Sequence, residues 1–198
     1  MKALLFSDIH GSRSLLSRIL KEARGAEAMF CCGDITNFQK GLEGILKKLD
    51  SAGIPIFIVP GNHESPEHLE LLCQKFENVK NIHKKFLVYD KFLIMGYGSG
   101  GFTLRDAEFK RVAEEFARAI KINKERRSIF VTHAPPYGTR LDVLNGMHVG
   151  SRDISDFIRH NRVDLLFCGH LHENSGIIEQ VGRTTVINPG KLMKVEIK

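Results

Sequence analysis

Histidine, aspartate and asparagine residues recur at five separate places in the sequence, each time after a short apolar run. Imidazole, carboxylate and carboxamide groups are ligands that first-row divalent ions accept. Seven such side chains are too many for one ion, so the residue types indicate two ions that share a carboxylate. The candidate ligands are Asp8, His10, Asp34, Asn62, His133, His170 and His172.

The spacing within the motifs supports a common centre. Residues two apart on a strand point the same way, so Asp8 and His10 can face one point, as can His170 and His172. Glycines precede three of the candidate ligands and permit tight turns and close backbone approach. A single histidine at the end of a strand is more often a hydrogen-bonded structural residue. The joint occurrence of all the motifs, in order, favours metal binding.

The elements that must position these side chains can be read from apolar periodicity. Strands are expected over residues 3–6, 28–32, 56–59, 86–89, 92–96, 128–132, 164–168, 176–181, 184–187 and 192–197. Helices are expected over residues 12–23, 41–52, 66–76, 105–122 and 151–159. Early alternation of strand and helix predicts parallel pairing, and the tail predicts antiparallel pairing. We expect an α/β (α+β) fold and a single domain over residues 1–198, with the ligands at the carboxyl ends of strands.

Composition and cysteine usage limit the class of protein. Apolar residues make up 42% and charged residues 26%, which is an ordinary globular balance. No apolar run reaches the ~18 residues that span a bilayer, and the run at residues 3–6 is too short for a leader, so no membrane partner is expected. The adjacent pair Cys31 and Cys32, together with Cys73 and Cys168, indicates buried free thiols and a cytoplasmic location.

The positive charge bears on the partners. A net charge of +6 would attract phosphate-bearing substrates. The basic segments 80–85 and 121–127 lack the interleaved aromatic residues of a nucleic-acid platform, so we interpret them as solvated surface. The expected partner is therefore a small phosphate ester, with nucleic acid left open as the less favoured alternative. The sequence leaves a homo-oligomer open.

The ordered motifs D-x-H, G-D, G-N-H-[DE], H and G-H-x-H span residues 8–172 and resemble those of the calcineurin-like metallophosphoesterases. The resemblance implies a four-layer αββα sandwich of two mixed sheets flanked by helices. It implies one ion on Asp8, His10, Asp34 and His172, a second on Asp34, Asn62, His133 and His170, and His63 as a catalytic histidine that is not a ligand. Segments 132–139, 150–151 and 188–190 are most similar to the small Icc-related predicted phosphoesterases.

This resemblance implies a hydrolase of phosphate esters, expected to act on a small phosphodiester such as a cyclic or other nucleotide. Two ions about 3.5–4 Å apart would hold a bridging hydroxide for in-line attack on phosphorus. His63 would protonate the leaving oxygen or stabilise its charge. We expect manganese, with Fe, Zn, Ni or Co as alternatives. A nuclease of the same fold and a non-catalytic scaffold of that fold are the rival functions.

Supporting residues are also proposed from the sequence. Asn37 and Glu64 are candidates to orient His63 or a ligand histidine, with simple turn hydrogen bonding as the alternative. Protein Ser/Thr phosphatases of this family carry an acidic residue at the position of Asn37, which argues against that activity. A rim with phosphate-binding donors is the hypothesis for three further residues, with ordinary surface charge as the alternative: Arg140, His148 and Arg152.

Overall fold

Short apolar runs form thirteen strands in the computed structural model, which describes residues 1–198. The strands are β1 (Lys2–Phe6), β2 (Ala28–Cys31), β3 (Ile56–Ile58), β4 (Val79–Asn81), β5 (Lys85–Tyr89), β6 (Phe92–Tyr97), β7 (Arg127–Thr132), β8 (Val143–Leu144), β9 (Met147–His148), β10 (Leu165–Phe167), β11 (Ile178–Val181), β12 (Thr184–Ile187) and β13 (Met193–Glu196). Most lie within a few residues of the predicted bounds, but the apolar pattern missed β4, β8 and β9.

Five α-helices connect or follow these strands, all of them predicted. They are α1 (Arg13–Glu22), α2 (Leu42–Asp50), α3 (Pro66–Cys73), α4 (Ala107–Ile122) and α5 (Arg152–His160). Ser12, Ser65, Asp106 and Ser151 each cap a helix by accepting a backbone N–H in the first turn. None of the helices combines the length and the apolar character that crossing a bilayer requires.

The strands form two mixed sheets and one small hairpin. The first sheet has the order β13-β1-β2-β3-β4, in which β1 to β4 are parallel and β13 is antiparallel. The second has the order β11-β12-β10-β7-β6-β5, in which the four inner strands are parallel and both edge strands antiparallel. The small hairpin consists of β8 and β9, which pair antiparallel.

The tail strands pair antiparallel as predicted, with one exception. Strands β11 and β12 are antiparallel, and β13 lies antiparallel beside β1 in the first sheet, but β12 is also parallel to β10. The pattern missed that parallel pairing because apolar alternation along a strand indicates which face is buried, but not which strand lies alongside.

Alternation along the strands divides the core into layers. On β1, Leu4 packs against the helices α1 to α3, whereas its neighbour Leu5 faces the second sheet. On β7, Phe130 packs against α4 and α5, whereas its neighbour Val131 faces the first sheet. The two sheets therefore pack face to face with helices outside, which confirms the four-layer arrangement. All four cysteines are free and buried, as expected.

We predict that Phe30→Ala destabilises the protein by about 3–5 kcal/mol, because the ring is fully buried between the sheets. Its centroid lies 5.3 Å from those of Phe57 and Phe167, which belong to opposite sheets. Urea unfolding measures the loss. Phe86→Ala is the matched control, since that ring is 45% exposed on edge strand β5; equal losses from the two variants would contradict the proposed layering.

Candidate metal centre

The carboxyl ends of adjacent parallel strands bring the five motifs to one place. Asp8, Asp34 and Asn62 follow β1, β2 and β3 of the first sheet, and His133 and His170 follow β7 and β10 of the second. Four contacts of 3.3–3.4 Å join atoms of different motifs: His10 Nε2 to His172 Nε2, His172 Nε2 to Asp8 Oδ1, Asp34 Oδ2 to His133 Nε2, and Asn62 Nδ2 to His170 Nδ1. The structure thus gathers all seven predicted ligands.

These separations suit ligands of a shared ion. Two atoms bound at ~2.1 Å to one tetrahedral ion lie about 3.4 Å apart. Three groups place their ligand atoms within 4.8 Å of one another: Asp8 with His10 and His172, His10 with Asp34 and His63, and Asp8 with Asp34 and His133. Asp8, His10 and Asp34 each belong to two of these groups, so the groups overlap and two carboxylates, one of them that of Asp34, are placed to be shared.

Unpaired polar atoms give an independent test of metal binding. Asp8 Oδ1, His10 Nδ1, His133 Nε2 and His170 Nε2 are buried and make no hydrogen bond, although the first and third of them lie 3.4 Å from His172 Nε2 and Asp34 Oδ2. Leaving such a group unsatisfied costs about 1–3 kcal/mol, more if it is charged. Bound cations would satisfy carboxylate and imidazole atoms together, so the residues present fit a metal centre.

The protonation states of the cluster also suit metal binding. Burial opposes ionisation of Asp34, but the neighbouring His133 and His63 lower its pKa to about 2, so the carboxylate is negative at neutral pH. Burial, with help from His133, lowers the pKa of His170 to about 4, which leaves that imidazole neutral with a free lone pair. Burial also opposes protonation of His133, yet Asp34 outweighs it and raises the pKa of His133. The Asp34 carboxylate therefore favours a positive partner beside it, which a proton or a cation can supply.

The backbone is strained where it turns out of the strands. Asp8, His10, Asp34 and His170 have φ of 56°, 45°, 52° and 69°, in the left-handed region. This conformation costs an L-residue roughly 1–2 kcal/mol. It persists at these four candidate ligands because the surrounding loops hold it, and the strain is consistent with a functional site.

The motif glycines are required by close approach, as predicted. A Cβ on Gly33 would lie 2.6 Å from the backbone nitrogen of Gly61. A Cβ on Gly61 would collide with the Asp34 carboxylate, and one on Gly169 would collide with the Ser7 hydroxyl. The ligand loops can therefore meet only because these positions carry no side chain.

His63 lies beside the ligands and is partly exposed. Its ring centroid is 4.9 Å from that of His10, and its Nε2 is 4.0 Å from Asp34 Oδ2. The backbone N–H of Phe38 donates to His63 Nδ1 at 3.3 Å. Nδ1 is then the acceptor, so Nε2 carries the ring N–H on the side of the site, where it can donate a hydrogen bond.

Glu64 and Asn37 contact the ligand loops and not the ring of His63. Glu64 is 5% exposed and accepts from the N–H groups of Asp34 and Gly61 at 2.9 and 3.0 Å, and from the N–H and O–H of Thr36 at 3.0 and 2.6 Å. The Asn37 amide donates to the backbone carbonyl of His10 at 3.0 Å. These two side chains thus position the backbone that carries ligands.

The proposed substrate-binding residues have partners within the chain. His148 Nδ1 lies 2.7 Å from Asp142 Oδ1, and the Arg152 guanidinium lies 3.7 Å from the centre of the Tyr137 ring. Arg140 is exposed and is not in any of the candidate metal-ligand groups, nor are the other two. Their role in substrate binding stays a prediction.

Two exposed aromatic residues at the centre were missed by sequence reasoning. Phe38 is 81% exposed, with its centroid 4.4 Å from that of His63. Phe102 is 57% exposed, with its centroid 4.4 Å from that of His170. The glycine-rich segment 96–102 was the available signal for the second, but only the tertiary fold shows that it borders the metal centre.

The turn near the C-terminal end also supports the centre. The Asn188 amide donates to the backbone carbonyl of Leu171 at 3.1 Å, and Lys191 Nζ donates to the backbone carbonyl of Asp8. The turn therefore ties the first ligand loop to the last one.

The sequence profile described as calcineurin-like phosphoesterase matches residues 1–174. The chain belongs to the calcineurin-like phosphoesterase family, whose members are hydrolases of phosphate esters. Its resemblance to the family, inferred from the motifs, is confirmed.

Three similar proteins illustrate the relationship. An uncharacterized protein of Methanocaldococcus jannaschii is 34% identical, over 96% of this chain and 88% of its own length. A protein of Arcobacter nitrofigilis named as a probable glycerophosphodiester phosphodiesterase, GpdQ, is 25% identical, over 72% of this chain and 55% of its own. A dimetal phosphatase from Danio rerio has a TM-score of 0.71 at 12% identity, covering 94% of this chain and 86% of that one, which shows the shared fold.

We predict that Glu64→Gln lowers the affinity for Mn²⁺ by about 10–100-fold, the usual effect of losing a group that supports a ligand. In the wild-type protein, backbone N–H groups donate to both oxygens of the Glu64 carboxylate. In the variant, one oxygen is replaced by an NH₂ group, which is a donor and would face those N–H donors. Titration calorimetry of the metal-free protein with Mn²⁺ measures the affinity. Glu67→Gln is the control, because that exposed carboxylate accepts from the neighbouring Ser65; unchanged Mn²⁺ affinity in Glu64→Gln would refute the role.

Proposed function

We propose that the protein is a two-metal phosphodiesterase of the cytoplasm that hydrolyses small phosphodiesters such as nucleotides. The observation that carries this proposal is the convergence of seven ligand side chains, several with unpaired buried donor atoms, around the shared carboxylate of Asp34. The four buried free thiols support a reducing compartment.

Support for a diester as substrate comes from the relatives. The Arcobacter nitrofigilis protein is named for an activity on a phosphodiester, and it aligns with 72% of this chain. A diester carries one negative charge and a monoester two, but each leaves an alkoxide that a proton donor must neutralise. A histidine beside the metal ligands therefore assists the hydrolysis of diesters and of monoesters alike. Only an assay with both types of ester distinguishes them.

The division of the ligands follows the family pattern. One ion would be held by Asp8, His10, Asp34 and His172, and the other by Asp34, Asn62, His133 and His170. When bound, the pair supplies Lewis-acid activation of a water molecule and neutralises charge on the phosphate oxygens. The mixed nitrogen and oxygen ligands suit manganese, and also Fe, Zn, Ni or Co.

The chain itself supplies orientation and a hydrogen-bond donor. Neutral His170 and ionised Asp34 are in the states that ligands require. His63 holds its Nε2–H towards the site because Phe38 N–H occupies Nδ1. We assign His63 as the hydrogen-bond donor that stabilises the negative charge developing on the leaving oxygen, which makes it the catalytic residue of the chain.

The exposed aromatic side chains support an organic group on the substrate. Phe38 and Phe102 contact His63 and His170, so their rings flank different parts of the metal centre. A ligand that covers an exposed phenylalanine ring removes apolar surface from water, which is favourable for binding. Stacking of a nucleobase on such a ring contributes about 1–3 kcal/mol. We therefore propose a nucleoside as the alcohol component.

The direct test of the proposed function is metal-dependent hydrolysis. Protein stripped of metal is expected to be inactive on bis(p-nitrophenyl) phosphate and to regain activity with Mn²⁺, because the ions supply the Lewis acid. Release of p-nitrophenol is followed at saturating Mn²⁺, Co²⁺, Ni²⁺, Fe²⁺ or Zn²⁺ in turn, with p-nitrophenyl phosphate as the monoester comparison. Inactivity with every ion would sink the enzyme assignment, and faster turnover of the monoester would overturn the diester assignment.

His63→Ala is expected to reduce kcat by about 10²–10³-fold, the usual loss when a hydrogen-bond donor to a developing oxyanion is removed. Metal content, measured by elemental analysis, should stay at the wild-type value because His63 is assigned as a hydrogen-bond donor and not as a ligand. Since His63 also lies within reach of His10 and Asp34, a parallel loss of metal would instead make it a ligand.

Phe38→Ala is expected to raise KM about ten-fold for thymidine 5′-(p-nitrophenyl phosphate), because a base would lose its stacking surface. KM for methyl p-nitrophenyl phosphate should not change, since the methyl group cannot stack. Phe86→Ala, which removes an exposed ring from edge strand β5, is the matched control. An equal change for both esters would mean that Phe38 acts only through His63.

A further inference from the structure

A cavity of about 410 Å³ opens beside the metal centre at His10. Its wall is formed by α1, α2 and the loop between β2 and α2, and it is lined by Arg13, Lys40 and Lys48 with no carboxylate among them. We call this the basic cavity. Its position next to a candidate metal ligand places it within reach of a molecule bound at the metal centre.

The three cations of the basic cavity have no partners in the chain. Other lysines near α3 are paired: Lys75 with Glu43 at 2.9 Å, and Lys85 with Glu70 at 2.6 Å. The side chains of Arg13, Lys40 and Lys48 make neither an ion pair nor a hydrogen bond. Like charges around one cavity repel each other, and a bound anion would relieve that repulsion.

Gly44 lines the same cavity, in the first turn of α2. A Cβ at this position would meet no atom within 4 Å, so packing does not require a glycine there. The missing side chain instead leaves the wall of the basic cavity clear for a ligand.

We propose that the basic cavity binds a second phosphate group of the substrate while the scissile phosphate lies at the metal centre. This inference rests on the proposed function and narrows it. Arg13 can donate a planar pair of N–H groups to phosphate oxygens, and the two lysines supply point charges. The substrate class is then a nucleotide diester that carries a phosphate besides the one that is hydrolysed.

Binding tests the cavity without catalysis. Titration calorimetry on the metal-free full chain compares adenosine 3′,5′-bisphosphate with adenosine 5′-monophosphate. We expect the bisphosphate to bind about ten-fold more tightly, because hydrogen bonds between charged groups are the stronger kind. Lys48→Ala should reduce the difference, whereas Lys47→Ala on the same helix, outside the cavity, should preserve it.

A variant that fills the basic cavity gives the sharpest comparison. Gly44→Glu should fold, because the site has open space and an acidic residue is favourable in the first turn of a helix. Its carboxylate should abolish the preference for the bisphosphate, whereas Gly44→Ala should keep it. Equal affinities of the wild-type protein for the two nucleotides would overturn the inference, as would a preference that survives Gly44→Glu.

Kinetics separates this inference from the proposed function. With Mn²⁺, thymidine 5′-(p-nitrophenyl phosphate) is compared with the same ester carrying a 3′-phosphate. We expect kcat/KM to be about ten-fold higher for the phosphorylated ester, and equal for the two esters in Gly44→Glu. If neither ester is hydrolysed, the proposed function fails while calorimetry still decides whether the cavity binds phosphate. If both are hydrolysed equally by the wild-type protein, the second-phosphate site is wrong and the phosphodiesterase stands.

Discussion

Three buried carboxylates at one edge of two sheets impose the main constraint on this molecule. Asp8, Asp34 and Glu64 are each at most 5% exposed, and burial of an ionised carboxylate is costly without compensation. Glu64 is compensated by N–H and O–H donors of the ligand loops. Asp8 and Asp34 accept one backbone N–H each, from His170 and His63, and otherwise face imidazole nitrogens, in an arrangement that cations would complete. The loops, their strained turns and the glycines all serve this concentration of negative charge.

The layered fold holds these buried carboxylates in place. Apolar strands of both sheets pack between helices, and their rigid ends fix where each loop begins. The first sheet contributes the loops of Asp8, Asp34 and Asn62, and the second those of His133 and His170. Because the centre lies across two sheets, its geometry depends on their packing as much as on any local turn. Residues such as Phe30, far from the chemistry, therefore matter for the precision of the site.

The surroundings of the centre are chemically distinct on different sides. Phe38 and Phe102 offer apolar rings beside the histidines, while the basic cavity at His10 offers cations without acidic neighbours. An aromatic group and an anionic group on one molecule would satisfy both surfaces. Nucleotides combine these properties, and the net charge of +6 adds a general attraction for them. In the function that we propose, the metal centre defines the reaction class and the residues around it select the substrate.

The sequence by itself determined the helices and most strands and identified the seven side chains that meet at the candidate metal centre, because motif spacing and apolar periodicity are local properties of the chain. Family resemblance added the two-sheet architecture. Only the tertiary structure decided that β13 pairs with β1, that Glu64 holds the loop of Asp34, and that Phe38 lies on His63. The basic cavity likewise forms only because the tertiary structure places α1 and α2 side by side. Such features depend on contacts between residues distant along the chain, and a pattern along one strand or helix carries no information about what packs against it.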